Sequence, residues 1–237
     1  MIIGNGFMAN SFKYYDNKSS YIIIYASGIP NIFSYSDEGA DREKKLLEKI
    51  ILDNKLCKIV YFSSCGIYYK EGLNDYSRHK LKMENIIKNI SNNYLIVRLP
   101  IVVGTGSNMN SLCHYFFNCI KNNDFFYLWK NASRYLIDIN DVLEIIKFIL
   151  DRNYFYNEIV NISSFVDIRV ETIVNIIEGF LNKKANYKFC DKGSKFIIDI
   201  EKLKKILPES IIYEDNYANL VLEKYYGQKI YDINSKL

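Results

Sequence analysis

Apolar residues in this chain follow two alternating spacings. Short unbroken runs, "YIIIYASG" at 21–28, "KIVYFSS" at 58–64 and "YLIVRLPIVVG" at 94–104, have the length of strands buried on both faces. Between the first two, "DEGADREKKLLEKIILDNK" at 37–55 carries Leu46, Leu47, Ile50 and Ile51 at helical spacing, with acids early and lysines late to suit the helix dipole. Further helices are predicted over 76–90 and about 108–122. "SRYLIDINDVLEIIKFIL" reads as a strand entering a helix, with Asp138, Asn140 or Asp141 near its N-cap. "NEIVNIS" (157–163) predicts a strand, "RVETIVNIIEGFLNKK" (169–184) a helix, and "FIIDIEKLKKIL" (196–207) a last short helix before Pro208. At the start, a strand from Met1 to Ile3 runs into Gly4-Asn5-Gly6 and an apolar helical stretch, Phe7 to Phe12. Strands alternating with helices predict an α/β fold around a parallel sheet.

The 237 residues suffice for one generous domain, or one domain with a small lobe. A chain 49% hydrophobic and 24% charged builds a proper core. The net charge of +4 is modest, and its lysines are scattered among acids with no basic tract, which argues against nucleic acid as a partner. The 21 tyrosines are spread evenly and mark no stacking platform. Five cysteines without a C-x-x-C pair and two isolated histidines, His79 and His114, give no metal site. No apolar run reaches the roughly 18 residues that a membrane span needs, and no leader opens the chain. The expectation is a cytoplasmic protein with reduced thiols.

Two stretches carry chemistry. "GNGFMA" sets Gly4, Gly6 and Ala9 in a G-x-G-x-x-A pattern between a strand and a helix, where the backbone can approach a pyrophosphate at a helix N-terminus. Such a turn also occurs without a ligand. In "YFSSCGIYYKEGLNDYSRHK" (61–80), Tyr76 and Lys80 share one helix face a turn apart, just past a strand ending in Ser63-Ser64. A free phenol titrates near about 10 and is a poor proton donor at neutrality. An ammonium beside it favours the phenolate and brings it toward useful range. The stretch is either a polar loop leading into an ordinary helix or a proton-transfer site at a sheet end.

Taken in order, "GNGFMA", "YASG", "SSCGIY", "YSRHK", "RLPIVVGTG" and "SRYLIDINDV" resemble the short-chain dehydrogenase/reductase superfamily, and within it the extended branch of NAD(P)-dependent epimerases, dehydratases and reductases of nucleotide sugars. The resemblance implies a shortened Rossmann-like parallel sheet with helices on both faces, plus a small C-terminal substrate lobe. It divides the chain into a dinucleotide-binding domain at 1–156 and a lobe at 157–237, interwoven with 105–135. It makes Tyr76 the acid/base on the sugar oxygen and gives Lys80 the nicotinamide ribose. Ser64 would bond the reacting oxygen, with Ser63 as fallback. Gly4, Gly6, Phe7, Met8, Ala9, Ala26, Ser27 and Pro100 would line NAD or NADP. Cys65, Asn108 and Arg134 would face a nucleotide-sugar substrate, the guanidinium suiting its diphosphate. A homodimer through the helices at 37–55 and 76–90, and a place in polysaccharide biosynthesis, are further expectations of the resemblance.

The chain departs from that family in three places. About a dozen residues separate Ala9 from the run at 21–28, whereas one βαβ unit takes roughly 30 or more. The acid expected about 20 positions after the glycines has no counterpart, since Asp16 comes too early. The loop from Tyr68 to Tyr76 is short for the extended branch. Cys65 and Gly66 stand where dehydratases of the branch carry two acids, which argues against dehydration, and Ile101 replaces an often polar residue. Cys65 reads as a second acid or a small buried thiol, and His79 as solvated or packed. The function expected is a 4-ketoreductase of a nucleotide-linked sugar. An epimerase would use the same residues, and a catalytically degenerate sensor or scaffold would use none.

Overall fold

A computed structural model describes residues 1–13, 21–69, 72–106 and 111–227. β1 (Ile2–Ile3) turns into the short α1 (Phe7–Ser11). β2 (Ile22–Tyr25) passes through α2 (Asp37–Asp53) to β3 (Lys58–Ser64), and α3 (Asp75–Ile90) leads on to β4 (Tyr94–Leu99). Then follow β5 (Ile101–Val103), α4 (Leu112–Asn122), β6 (Phe126–Trp129), β7 (Ser133–Arg134), β8 (Leu136–Asp138) and α5 (Ile139–Asp151). β9 (Glu158–Asn161), β10 (Ile168–Arg169), α6 (Val170–Leu181), β11 (Tyr187–Cys190), α7 (Glu201–Ile206) and α8 (Tyr217–Leu222) complete the described chain.

The main sheet is wholly parallel, in the order β1-β2-β3-β4-β9. Its runs are continuously apolar because both faces are covered. Ile24, Val60, Leu95 and Val97 join α4, α5 and α6 on one face. Ile23, Tyr25, Ile59, Tyr61 and Ile96 meet Leu47 and Ile51 of α2 and Met83 and Ile87 of α3 on the other. Leu47 and Met83 are fully buried, and truncating either to alanine costs roughly 2–5 kcal/mol.

The strand expected over 94–104 is two strands. Pro100 has no N–H to give a ladder, and the chain changes partners there. Leu99 is the last residue paired with β3, and beyond the proline the Ile101 N–H bonds the Tyr135 carbonyl at 3.2 Å as β5 pairs with β8. The lobe expected to begin at 157 contains β9, yet β9 is the fifth strand of the main sheet, because Val160 is needed to cover Val97 at its edge. Two further small sheets, β6 with β11 and β7 with β10, form the outer part. The α5 N-cap is Asp138, whose carboxylate accepts the Asn140 N–H at 2.8 Å and also the Lys224 ammonium at 2.5 Å and the Tyr225 hydroxyl at 2.7 Å, tying the later chain to this helix start.

Candidate active site

A cleft of about 1440 Å³ crosses the C-terminal ends of β1 to β4. Gly6, Phe7, Met8, Ala26 and Ser27 line it from the glycine turn and the end of β2. Ser64, Cys65, Tyr76, Lys80, Pro100 and Arg134 line it from the sheet centre and the outer part. Gly4 and Ala9 do not. Gly4 adopts φ +127°, and a Cβ there would stand 2.5 Å from the Ala26 carbonyl oxygen, so this glycine serves the close approach of β1 to the end of β2. Ala9 is buried behind the turn. A Cβ on Gly6 would meet only open space, so the bare backbone faces the cleft as expected. The helix behind it is shorter than expected, five residues ending at Ser11. Asn108 lies outside the described residues.

Tyr76 and Lys80 sit one turn apart on α3, as their spacing requires, with the Lys80 Nζ 5.8 Å from the centre of the Tyr76 ring. Asn74 caps this helix by accepting the Ser77 N–H at 2.8 Å, which fixes where its first turn begins. Ser64 ends β3, and its Oγ accepts the Gly66 N–H at 3.0 Å, an arrangement that leaves its O–H to donate to a cleft ligand. Ser63, the fallback, also lines the cleft, but its hydroxyl donates to Glu84 at 2.6 Å.

The lysine is not a lone ammonium beside the phenol. Its Nζ donates to Glu43 Oε1 at 3.2 Å and to the Tyr61 hydroxyl at 3.1 Å, and both partners are buried. Glu43, fully enclosed, also accepts from the Tyr61 hydroxyl at 2.7 Å and the Ile29 N–H at 2.7 Å, and pairs with His79 Nε2 at 2.9 Å. Burial alone would raise the Glu43 pKa, but the Lys80 charge and the bonds from His79, Ile29 and Tyr61 outweigh it and hold the carboxyl well below its usual range. The Tyr61 phenol is pushed up by burial and by the Glu43 charge beside it, so it remains a neutral donor. Gly28 makes room for the pair, since a Cβ there would stand 2.6 Å from Glu43 Oε1 and 2.7 Å from Lys80 Nζ. His79 is packed and bonded, not solvated.

A second buried carboxylate, Glu84, lies on α3, the helix that carries Tyr76 and Lys80. Glu84 accepts from Arg98 Nε at 2.9 Å and Nη2 at 2.6 Å, and Arg98 Nη1 donates to the Tyr68 hydroxyl at 2.8 Å. Tyr68 in turn donates its O–H to Asn161 Oδ1 at 3.0 Å, so α3, β4, β9 and the turn after Ser64 are fastened together. Burial pushes the Cys65 thiol up in that turn, which suits a protonated wall residue and not an acid/base.

Arg134 reaches the cleft from β7, its guanidinium 4.8 Å above the centre of the Tyr69 ring and donating to the Ser133 carbonyl at 2.7 Å. Arg42, Tyr127 and Trp129 also line the cleft and were not foreseen. Neither was Glu43, although its place was readable: it stands four and eight residues before Leu47 and Ile51, an acid on the apolar stripe of α2. Among the described residues the charged side chains lining the cleft are Arg42, Lys80 and Arg134, and no carboxylate lines it. No group of side chains among the described residues has the makings of a metal site, and no described helix is long and apolar enough to cross a membrane.

Against known proteins, the model of the NAD dependent epimerase/dehydratase family matches residues 45–163. The chain belongs to this family. It is a member of the extended short-chain dehydrogenase/reductase superfamily, with the Rossmann-like sheet of that group. No curated protein matches it. Among solved structures, UDP-galactose 4-epimerase is similar over 94% of this chain and 81% of its own, at 12% identity and TM-score 0.72. UDP-glucuronic acid 4-epimerase from Bacillus cereus, in complex with UDP-glucuronic acid and NAD, is similar over 90% and 76%, at 16% identity and TM-score 0.71. RMD from Pseudomonas aeruginosa, complexed with NADPH, is similar over 96% and 98%, at 12% identity and TM-score 0.71. At these identities the likeness establishes the fold that the family shares.

Proposed function

We propose that the protein is an NAD(P)-dependent oxidoreductase of a nucleotide-linked sugar, and within that class a 4-ketoreductase. The observation that carries this reading is the convergence of Ser64, Tyr76 and Lys80 in one cleft whose charged lining is cationic. Such a lining suits a ligand that brings phosphates of its own. The residues fit a nicotinamide cofactor: bare backbone at Gly6 for its phosphate, and small Ala26 and Ser27 at the end of β2. When bound, it supplies the hydride that reduces the sugar ketone.

The chain's own groups do the rest. Ser64 donates a hydrogen bond to the ketone oxygen, and Tyr76 gives that oxygen its proton as the C=O bond becomes C–OH. Tyr76 then recovers a proton from solvent. Of the three N–H bonds of Lys80, two are held by Glu43 and Tyr61, and the third serves the nicotinamide ribose. Arg134, on β7 of the outer part, meets the substrate diphosphate. The 4-epimerases among the similar structures favour a second reading, in which the hydride returns to the opposite face of the same sugar. Turnover by cofactor-loaded protein without added reductant would select it.

The test is Tyr76→Phe, assayed with NADH or NADPH against a panel of nucleoside-diphosphate 4-keto sugars. Turnover should fall by about 100-fold or more, the usual contribution of a placed general acid, with circular dichroism and cofactor affinity unchanged. A rate within threefold of the native protein would assign the proton to another group.

A further inference from the structure

We propose that the cleft holds only the nicotinamide-ribose-phosphate half of its cofactor, so that a nicotinamide mononucleotide serves it as well as a dinucleotide does. The inference rests on the cofactor reading above and narrows it. In doubly wound sheets a dinucleotide straddles the point where strand order reverses, with nicotinamide over the strands on one side of β1 and adenosine over those on the other. Here, among the described residues, the order β1-β2-β3-β4-β9 runs in one direction with β1 at the edge and shows no reversal. The strand that should carry the ribose-binding acid has no room in the sequence, because Ala9 at the end of the glycine motif and Ile22 at the start of β2 are only 13 positions apart. A position about 20 residues beyond the glycines falls on β2 itself, at Ile24 and Tyr25, which are buried and pair with β1.

The walls of the cleft tell the same story. Beyond the glycine turn itself, its lining comes from the β2 side at Tyr25 to Phe33 with Arg42, and from the end of β3, α3 and the chain around Pro100. The outer part adds α4, Tyr127, Trp129 and Arg134, and no described strand beyond β1 contributes to it. The cofactor reading sets a nicotinamide, its ribose and one phosphate against the β2, β3 and α3 walls. Among the described residues no carboxylate lines the cleft to chelate an adenosine ribose diol or to repel a 2′-phosphate. An adenosine joined to this cofactor would project past the β1 edge and gain little from the protein. NADH, NADPH and reduced nicotinamide mononucleotide should therefore bind alike.

The experiment is a fluorescence or calorimetric titration of the full chain with NADH, NADPH and reduced nicotinamide mononucleotide, with AMP as competitor. The three dissociation constants should agree within about threefold, and AMP at millimolar concentration should displace none of them. NADH binding thirtyfold or more tighter than the mononucleotide, a tenfold preference between NADH and NADPH, or displacement by AMP would each overturn the proposal while leaving the oxidoreductase reading intact. Failure of all three ligands to bind at millimolar concentration would remove both.

Discussion

Glu43 and Glu84 are both buried carboxylates, one on α2 bonded to α3 and the other on α3 itself, and they differ in what they hold. Glu84 grips Arg98 through two nitrogens, a planar fork on a planar acceptor, and its chain of partners runs on through Tyr68 to Asn161 at the end of β9. Glu43 holds Lys80, a point charge with a third donor to spare, and Lys80 lines the cleft. The first network meets its donors with protein acceptors, on to the Asp199 carbonyl, and serves the fold. The second is open at one end, where a ligand completes it. Two identical side chains thus do different work because of the cation each one meets.

Breaking the Glu84 network should have the largest effect. Arg98→Ala leaves Glu84 buried without its partner, a loss of about 3–5 kcal/mol, and the thermal midpoint should fall by roughly 2–4 °C for each of these. The protein that remains folded at low temperature should keep kcat/KM within about threefold. A midpoint shift worth less than about 1 kcal/mol would show that the fork does not brace the sheet.

The open network should respond in the reverse sense. Glu43→Gln keeps the shape and some hydrogen bonds but removes the charge that fixes Lys80, and kcat/KM should drop about tenfold, equivalent to about 1.4 kcal/mol of transition-state stabilisation. Cofactor affinity should weaken with it, since Lys80 loses its fixed direction. Unchanged cofactor affinity and turnover would reduce Glu43 to packing.

The smallest effect is a slope. Because the folded protein holds the Glu43 carboxyl below its ordinary value near 4.5, the unfolded chain takes up this proton first as pH falls. The stability contributed by Glu43 is complete above that value and is lost as acid approaches the lower folded pKa. Midpoints measured across the acid range should therefore fall less steeply in Glu43→Gln than in the native protein. Parallel curves would mean that Glu43 titrates alike in both states.

Much of this arrangement was legible in the chain. α2, β3 and α3 came within two residues of their expected ends, because each couples a clear periodicity to a strong cap or a buried run. Tyr76 and Lys80 were paired by spacing alone, since a helix brings residues four apart onto one face whatever surrounds it. β6 and β11 escaped notice: each is four residues long, and their pairing joins Phe126 to Tyr187 across a span that no local pattern encodes. The expected single strand at 94–104 failed at Pro100, where hydrophobicity continues but the hydrogen-bond donor does not. Glu43 was passed over because one acid on an apolar stripe makes sense only once its cations are in place.

The trimmed margin of the sheet has a bearing on solubility. β1 offers two residues along its outer side, too few rungs for a second molecule to extend the ladder. The brevity of this margin thereby also guards the β1 side of the sheet against edge-to-edge polymerisation.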